Sequence, residues 1–218
     1  MEKITIGNCT LYNADCRDVL PELGRFDLLL TDTPYGIGAH TGLGKYGVAR
    51  EQRSENSGWT DDAPPPLDLL NDLRARCSLQ IVFGANYFQL PPSRGWLVWD
   101  KGAGFKNRTF AEAELVWTNI DMNTKIFAHD PLAFRDYIHK DHPTQKPTRV
   151  LSWCIHQADK KSHNATIFDP FMGSGSTAMA CILEGRTFTG IEREPRYFDA
   201  ACERIERATA QGRLFTDA

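Results

Sequence analysis

Asp32-Thr33-Pro34-Tyr35 follows the apolar run Phe26–Thr31, which places a carboxylate, a rigid carbonyl and an aromatic ring at the end of an expected strand. An exocyclic amine on a planar base is a poor nucleophile, because its lone pair is delocalised into the ring. Two acceptors can take its two N–H groups and favour a pyramidal nitrogen whose lone pair points outward. Asp32 supplies one, and a main-chain carbonyl at Thr33 or Pro34 supplies the other. Proline stiffens the turn, and Tyr35 offers a face to a base drawn out of its stack. Transfer to such a nitrogen then needs mainly in-line positioning.

A second group lies far downstream. Asp169 ends an expected strand, and Phe171-Met172-Gly173-Ser174-Gly175-Ser176-Thr177 forms a glycine turn that opens a helix. Glycine permits both the tight turn and a close approach of ligand to backbone. Glu192 ends the next strand, where an acid can accept hydrogen bonds from both hydroxyls of a ribose. The turn has Thr177 and Ala178 in place of a third glycine. It therefore suits a nucleoside without a pyrophosphate, such as S-adenosylmethionine. In nucleotide-binding folds the glycine turn usually comes first; here it comes near the end.

The elements that must hold these groups alternate. A hairpin is expected at Ile4-Thr5-Ile6, Gly7-Asn8 and Thr10-Leu11-Tyr12. Asp15 can cap a short helix. Phe26–Thr31 reads as a parallel strand covered on both faces. A helix is expected from Leu67 to Cys77, with Leu69, Leu70, Leu73 and Cys77 on its inner side. Strands follow at 79–83, 96–99 and 113–117, and residues 118–141 read as irregular. A helix over 148–160, a strand at 165–168, a helix over 177–184, a strand at 187–191 and a helix from Pro195 complete the pattern. This alternation implies a mostly parallel α/β sheet in one domain over 1–218. The glycine-rich stretch 36–66 interrupts it, and its place directly after Tyr35 marks it as a mobile loop over the site.

Composition excludes some classes. With 218 residues, 41% hydrophobic and 24% charged, the chain can bury a substantial core. No apolar run approaches the ~20 residues of a membrane span, and the first residues lack a secretory pattern. Six cysteines without a Cys-x-x-Cys pair read as reduced thiols. The net charge of −3 argues against a generally basic surface but not against a local basic groove. Candidate clusters are Lys45, Arg50 and Arg53; Lys101, Lys106 and Arg108; and Arg135, Lys140, Lys146 and Arg149.

On these residues the chain resembles the amino-group DNA methyltransferases that use S-adenosylmethionine. It is similar to the permuted, or beta, group, in which the catalytic tetrapeptide precedes the cofactor loop. The family tetrapeptide is usually Asp-Pro-Pro-Tyr, or Asn in place of Asp, for adenine N6, with Ser leading for cytosine N4. Here Thr33 replaces the first proline. The resemblance implies a three-layer Rossmann-like methyltransferase fold with helices on both faces of the sheet. It implies Asp32, Thr33, Pro34 and Tyr35 as catalytic residues. For the cofactor it implies Asp15 and Cys16 near the adenine; His142, Thr144 and Lys146 of His142-Pro143-Thr144-Gln145-Lys146-Pro147 at the methionine end; Asp169, Phe171, Gly173, Ser174, Gly175 and Thr177 in the loop; and Glu192 on the ribose.

The implied activity is adenine N6 methylation of a flipped-out DNA base by a cytoplasmic bacterial or phage-encoded enzyme. Cytosine N4 is the nearest alternative. RNA, a protein amide, or a catalytically silent DNA-binding module are more distant ones. Residues 118–141 and the loop 36–66 leave little room for reading bases, so a short or relaxed site, or two subunits sharing the duplex, is expected. His139 and His142 with Asp141 have metal-ligand spacing but no third ligand pattern, and methyl transfer needs no metal. Trp96, Trp99 and Trp117 read as core residues; Trp59 is either an anchor on DNA or a loop pin.

Overall fold

Gly7 and Asn8 turn the chain so that β1 (Glu2–Ile6) and β2 (Cys9–Asn13) pair antiparallel, with Ile6 opposite Cys9. This hairpin opens the sheet of a computed structural model that describes residues 1–36, 63–108, 111–134, 136 and 145–216, with 212–216 by backbone alone. The remaining strands are β3 (Phe26–Thr31), β4 (Cys77–Phe83), β5 (Trp96–Asp100), β6 (Ala113–Thr118), β7 (Lys125–Ala128), β8 (Ile167–Asp169) and β9 (Phe188–Glu192). The helices are α1 (Cys16–Val19), α2 (Leu67–Ala75), α3 (Thr148–Asp159), α4 (Ser176–Leu183) and α5 (Pro195–Thr216).

Among the described residues the strands form one sheet in the order β1-β2-β9-β8-β3-β4-β6-β5-β7. Pairing is parallel from β2 through β4, and β6 runs antiparallel to both its neighbours. Period-2 alternation sends successive side chains of β3 to opposite faces. Leu28 and Leu30 join Val150, Leu151, Ala178, Cys181, Phe198 and Ile205 from α3, α4 and α5. Leu29 joins Val19, Leu73, Val82, Phe168 and Ile191, with α1 and α2 on that side. All three leucines are fully buried, which explains why β3 reads as continuously apolar. The fold is thus a three-layer α/β sandwich.

Connectivity reverses at the centre. From β3 the chain crosses to β4 on one side, and from β8 it crosses to β9 on the other. The crevice at the carboxyl ends of β8 and β3 is therefore a topological switch point, where open α/β sheets bind ligands.

Two expectations change. Cys77 does not close a helix; α2 stops at Ala75 and Cys77 begins β4, opposite Phe26. The apolar residue at helical spacing is buried either way, so the pattern could not tell the two apart. Residues 118–141 are not wholly irregular, because Lys125–Ala128 form β7 alongside β5. This edge strand leaves Ile126 70% exposed and so lacks the burial pattern of an inner strand. Phe127 stacks on Trp153 of α3, and His129 stacks on Phe134, which ties the segment to the body. Trp99 and Trp117 are core residues as expected. Among the described residues no helix is long and apolar enough to cross a membrane.

Candidate active site

Asp32 leaves the end of β3 directly into the crevice, largely buried, with both carboxylate oxygens engaged. Oδ1 accepts a short hydrogen bond from the Tyr35 hydroxyl. Oδ2 accepts from the Lys146 ammonium at 2.5 Å. Lys146 also lies 3.4 Å from Glu114 Oε2 on β6, and Glu114 Oε1 pairs with Lys101 at 2.9 Å. The result is a buried row of alternating charge: Lys101, Glu114, Lys146, Asp32. Burial pushes the Asp32 carboxyl above its ordinary range, against the Lys146 ammonium. Burial would pull Lys146 down, but Asp32 and Glu114 together hold it well above its ordinary value. Glu114 stays below the usual carboxylate range, where Lys146 and Lys101 outweigh its burial.

Tyr35 does not present an open ring. It stacks on Tyr87 at 5.0 Å and 19°, with Phe88 at its edge. Gly84, at the end of β4, adopts φ +67°, and a Cβ there would lie 2.1 Å from Tyr35 Cε1. The exposed ring of the pair is Tyr87, 44% accessible. The expectation of a free Tyr35 face is therefore revised: the stacking surface that reaches solvent is the Tyr35–Tyr87 pair. The Thr33 hydroxyl is buried and makes no hydrogen bond among the described residues.

One strand away, the glycine turn is braced from within. Asp169 accepts from the Thr31 and Thr177 hydroxyls at 2.8 and 2.7 Å and from the Phe171 amide at 3.2 Å. Burial pushes its carboxyl up to about 6, against the two hydroxyl bonds. Asp169 and Thr177, both nearly inaccessible, thus tie β8 to β3 and to the start of α4. Gly175 holds φ +79° at the N-cap of α4, where a Cβ would press on Ala201 at 3.0 Å. Ser174 donates to Gln145 at 3.2 Å and accepts from Arg204. Gln145 and Lys146 therefore link the glycine turn to Asp32 through one dipeptide.

Glu192 sits at the end of β9 beside this turn. Its Oε2 accepts from the Gly173 amide at 3.0 Å and its Oε1 from the Glu194 amide at 2.7 Å. Burial pushes it up to about 7, against those two backbone bonds. Each carboxylate oxygen carries two lone-pair sites, so one on each is left for a ligand donor. At the neighbouring end of β2, the Ala14 amide donates to the Glu192 carbonyl at 3.1 Å. Asp15 there caps α1 and pairs with the Arg17 guanidinium, whose hydrogen bonds hold it down to about 2. Cys16 packs into the core, where burial pushes its thiol up to about 11.

The crevice thus brings together Asp32, Tyr35, Lys146, Phe171, Gly173, Ser174, Gly175 and Glu192. His142 and Thr144 lie outside the described residues, as do residues 37–62 of the expected loop and its Trp59. Lys146 meets two protein carboxylates rather than standing free for a cofactor carboxylate. Lys101, expected in a basic surface cluster, is 9% exposed and paired with Glu114. Sequence reasoning missed Glu114, Tyr87 and Gly84. An acid on the inward side of the apolar strand Ala113–Thr118 was the available signal for Glu114. No group of three or more candidate metal ligands occurs among the described residues.

Comparison with known proteins gives a consistent result. The chain is 38% identical over 87 residues to YubD of Escherichia coli (strain K12), named as a candidate methylase, covering 38% of this chain and 37% of that one. It is 39% identical over 71 residues to the type II methyltransferase M2.LlaDCHI of Lactococcus lactis subsp. cremoris, covering 33% and 26%. Each of these relatives is matched over less than two fifths of its length. Among solved structures, the M1.HpyAVI–SAM complex aligns with TM-score 0.58 and 18% identity, over 90% of this chain and 98% of that one. PvuII DNA methyltransferase (cytosine-N4-specific) aligns with TM-score 0.56 and 15% identity, over 95% and 93%. These likenesses show the fold. The DNA methylase family model, N6_N4_Mtase, matches residues 85–203, more than half of the sequence, and on that match the chain belongs to the DNA methylase family.

Proposed function

We propose that this chain methylates DNA, moving a methyl group from S-adenosylmethionine to the N6 amino group of adenine. The observation that supports this best is the place of Asp32: a largely buried carboxylate at the switch point, one strand from a glycine turn with a ribose-type acid beside it. Bound at that turn, S-adenosylmethionine supplies an electrophilic methyl on its sulfonium. The residues fit a nucleoside. Glu192 keeps one lone pair on each oxygen for the two ribose hydroxyls, and Gly173 and Gly175 let the backbone approach closely.

The other residues prepare the base. Asp32 and a carbonyl of the Thr33–Pro34 turn accept the two amine N–H groups, and the Tyr35–Tyr87 pair supports the ring. The base must leave the duplex to reach them. An aspartate leading the tetrapeptide favours adenine over cytosine. The test is incubation of the purified protein with unmethylated DNA and S-adenosylmethionine, followed by digestion and mass identification of nucleosides. N6-methyladenine is expected. N4-methylcytosine would overturn the adenine assignment while keeping the reaction type, and no methylated nucleoside would overturn the DNA reading.

Cofactor binding should depend on pH through Glu192. Its carboxyl is raised to about 7 in the fold, from about 4.5 in the open chain. The folded state therefore holds the extra proton between those values. The stability this gives is full below about pH 4.5 and is lost as pH rises through about 7. Two ribose donors need the ionised form, so binding runs the other way. We expect the Kd for S-adenosylmethionine to fall about tenfold between roughly pH 6 and pH 8. Calorimetric titration of the wild type and of Glu192→Gln checks this, the variant binding weakly with most of the pH dependence gone.

A further inference from the structure

Methyl transfer breaks the S–CH3 bond of the sulfonium as the N–CH3 bond forms. It leaves a neutral thioether and places the positive charge on the amine nitrogen held against Asp32, and that nitrogen then gives up one proton to solvent. An ammonium fixed on Asp32 opposes that charge and weakens the carboxylate as an acceptor. Yet Lys146 Nζ lies 2.5 Å from Asp32 Oδ2, and Tyr35 occupies Oδ1. The structure holds a second position for the same ammonium. Glu114 Oε2 is 3.4 Å from Lys146 Nζ and makes no hydrogen bond among the described residues. Its other oxygen is anchored by Lys101 at 2.9 Å, so the carboxylate is fixed while this oxygen is open to Lys146. Glu114 and Lys146 are both largely buried, at 18% and 9% side-chain exposure, so little water is present to take the ammonium instead.

We propose that Glu114 is a positioning residue for methyl transfer: it draws the Lys146 ammonium off Asp32 when the amine arrives, and Lys101 holds Glu114 in place. Lys146 stays protonated in both positions, so the row keeps two cations and two anions throughout and only the distribution of charge changes. This rests on the DNA methylation reading above.

Glu114→Gln tests the idea, because it keeps the shape but removes the charge that attracts Lys146. The expected result is a fall in kcat of about 10²-fold, with KM for DNA and for S-adenosylmethionine within about threefold. The variant also leaves two buried cations against one anion, which should lower Tm by roughly 10 °C. The double variant Lys101→Met/Glu114→Gln separates the roles. It restores one cation to one anion, so Tm should recover, while kcat stays low because Lys146 has no second carboxylate. Recovery of both Tm and kcat would overturn the proposal and leave the row a structural brace. Unchanged kcat in Glu114→Gln would overturn it too. A wild type that methylates no DNA would instead bring down the parent reading, and this inference with it.

Discussion

Asp32→Ala should lower the rate of methyl transfer by about 10³-fold, while the Kd for S-adenosylmethionine stays within about threefold. Asp32 lies at the end of β3, whereas Gly173, Gly175 and Glu192 flank the crevice from β8 and β9, so cofactor binding survives the change. What is lost is an acceptor for the amine. The carbonyl at Thr33 or Pro34 cannot favour the pyramidal nitrogen alone. Asp32→Asn should lie between, at about a tenfold loss, since it keeps an oxygen acceptor without the charge. Transfer of labelled methyl from S-adenosylmethionine to DNA, with cofactor binding measured in parallel, checks the series. Equal loss in Ala and Asn variants would mean that charge, not the acceptor oxygen, is decisive.

Gly84→Ala should be nearly as damaging, for steric reasons. At φ +67° any side chain is strained, and the added Cβ would stand 2.1 Å from Tyr35 Cε1. The ring must move, and its hydroxyl with it, away from Asp32. A displacement of about 1 Å at a reacting group can cost about 10²-fold in rate, and that is the loss expected here. Gly185→Ala is the control. Gly185 has φ +62° but nothing within 4 Å of its added Cβ, so it bears the backbone strain alone. Both variants should lose about 1–2 kcal/mol of stability, but only Gly84→Ala should lose turnover. Denaturant unfolding beside initial rates distinguishes them.

Much of this was legible in the sequence because it rests on local rules. The run Phe26–Thr31 reads as a covered strand since its neighbours on both sides are apolar layers. The glycine turn and Glu192 announce themselves by residue type and order. What stayed hidden depends on pairing across the sheet. Glu114 meets Lys146 only because β6 lies beside β4, an antiparallel addition to a parallel run that no periodicity reveals. Lys101 looks like a surface cation until its partner is known. Tyr35 reads as an open platform until Tyr87, from the turn after β4, is placed against it. Asp169 reads as the acid that opens the glycine turn, and its bracing bonds to Thr31 and Thr177 are seen only once β8, β3 and α4 are brought together. β7 escaped because an edge strand need not bury alternate residues.

The order of strands also bears on how a new chain acquires its shape. Thr31 and Asp169, joined at the centre of the sheet, are 138 positions apart, and Cys9 of the second strand pairs with Phe188. At roughly 5–20 residues per second, β3 waits about 7–28 s after leaving the ribosome before β8 exists to pair with it. Throughout that interval one side of the apolar strand Phe26–Thr31 has an unpaired backbone, which invites association with other chains. Non-local pairing of this kind also slows folding after release. The crevice between β8 and β3 therefore forms late. The late strands close the centre of the sheet: β8 joins the exposed side of β3, and β9 then links it to the hairpin made first.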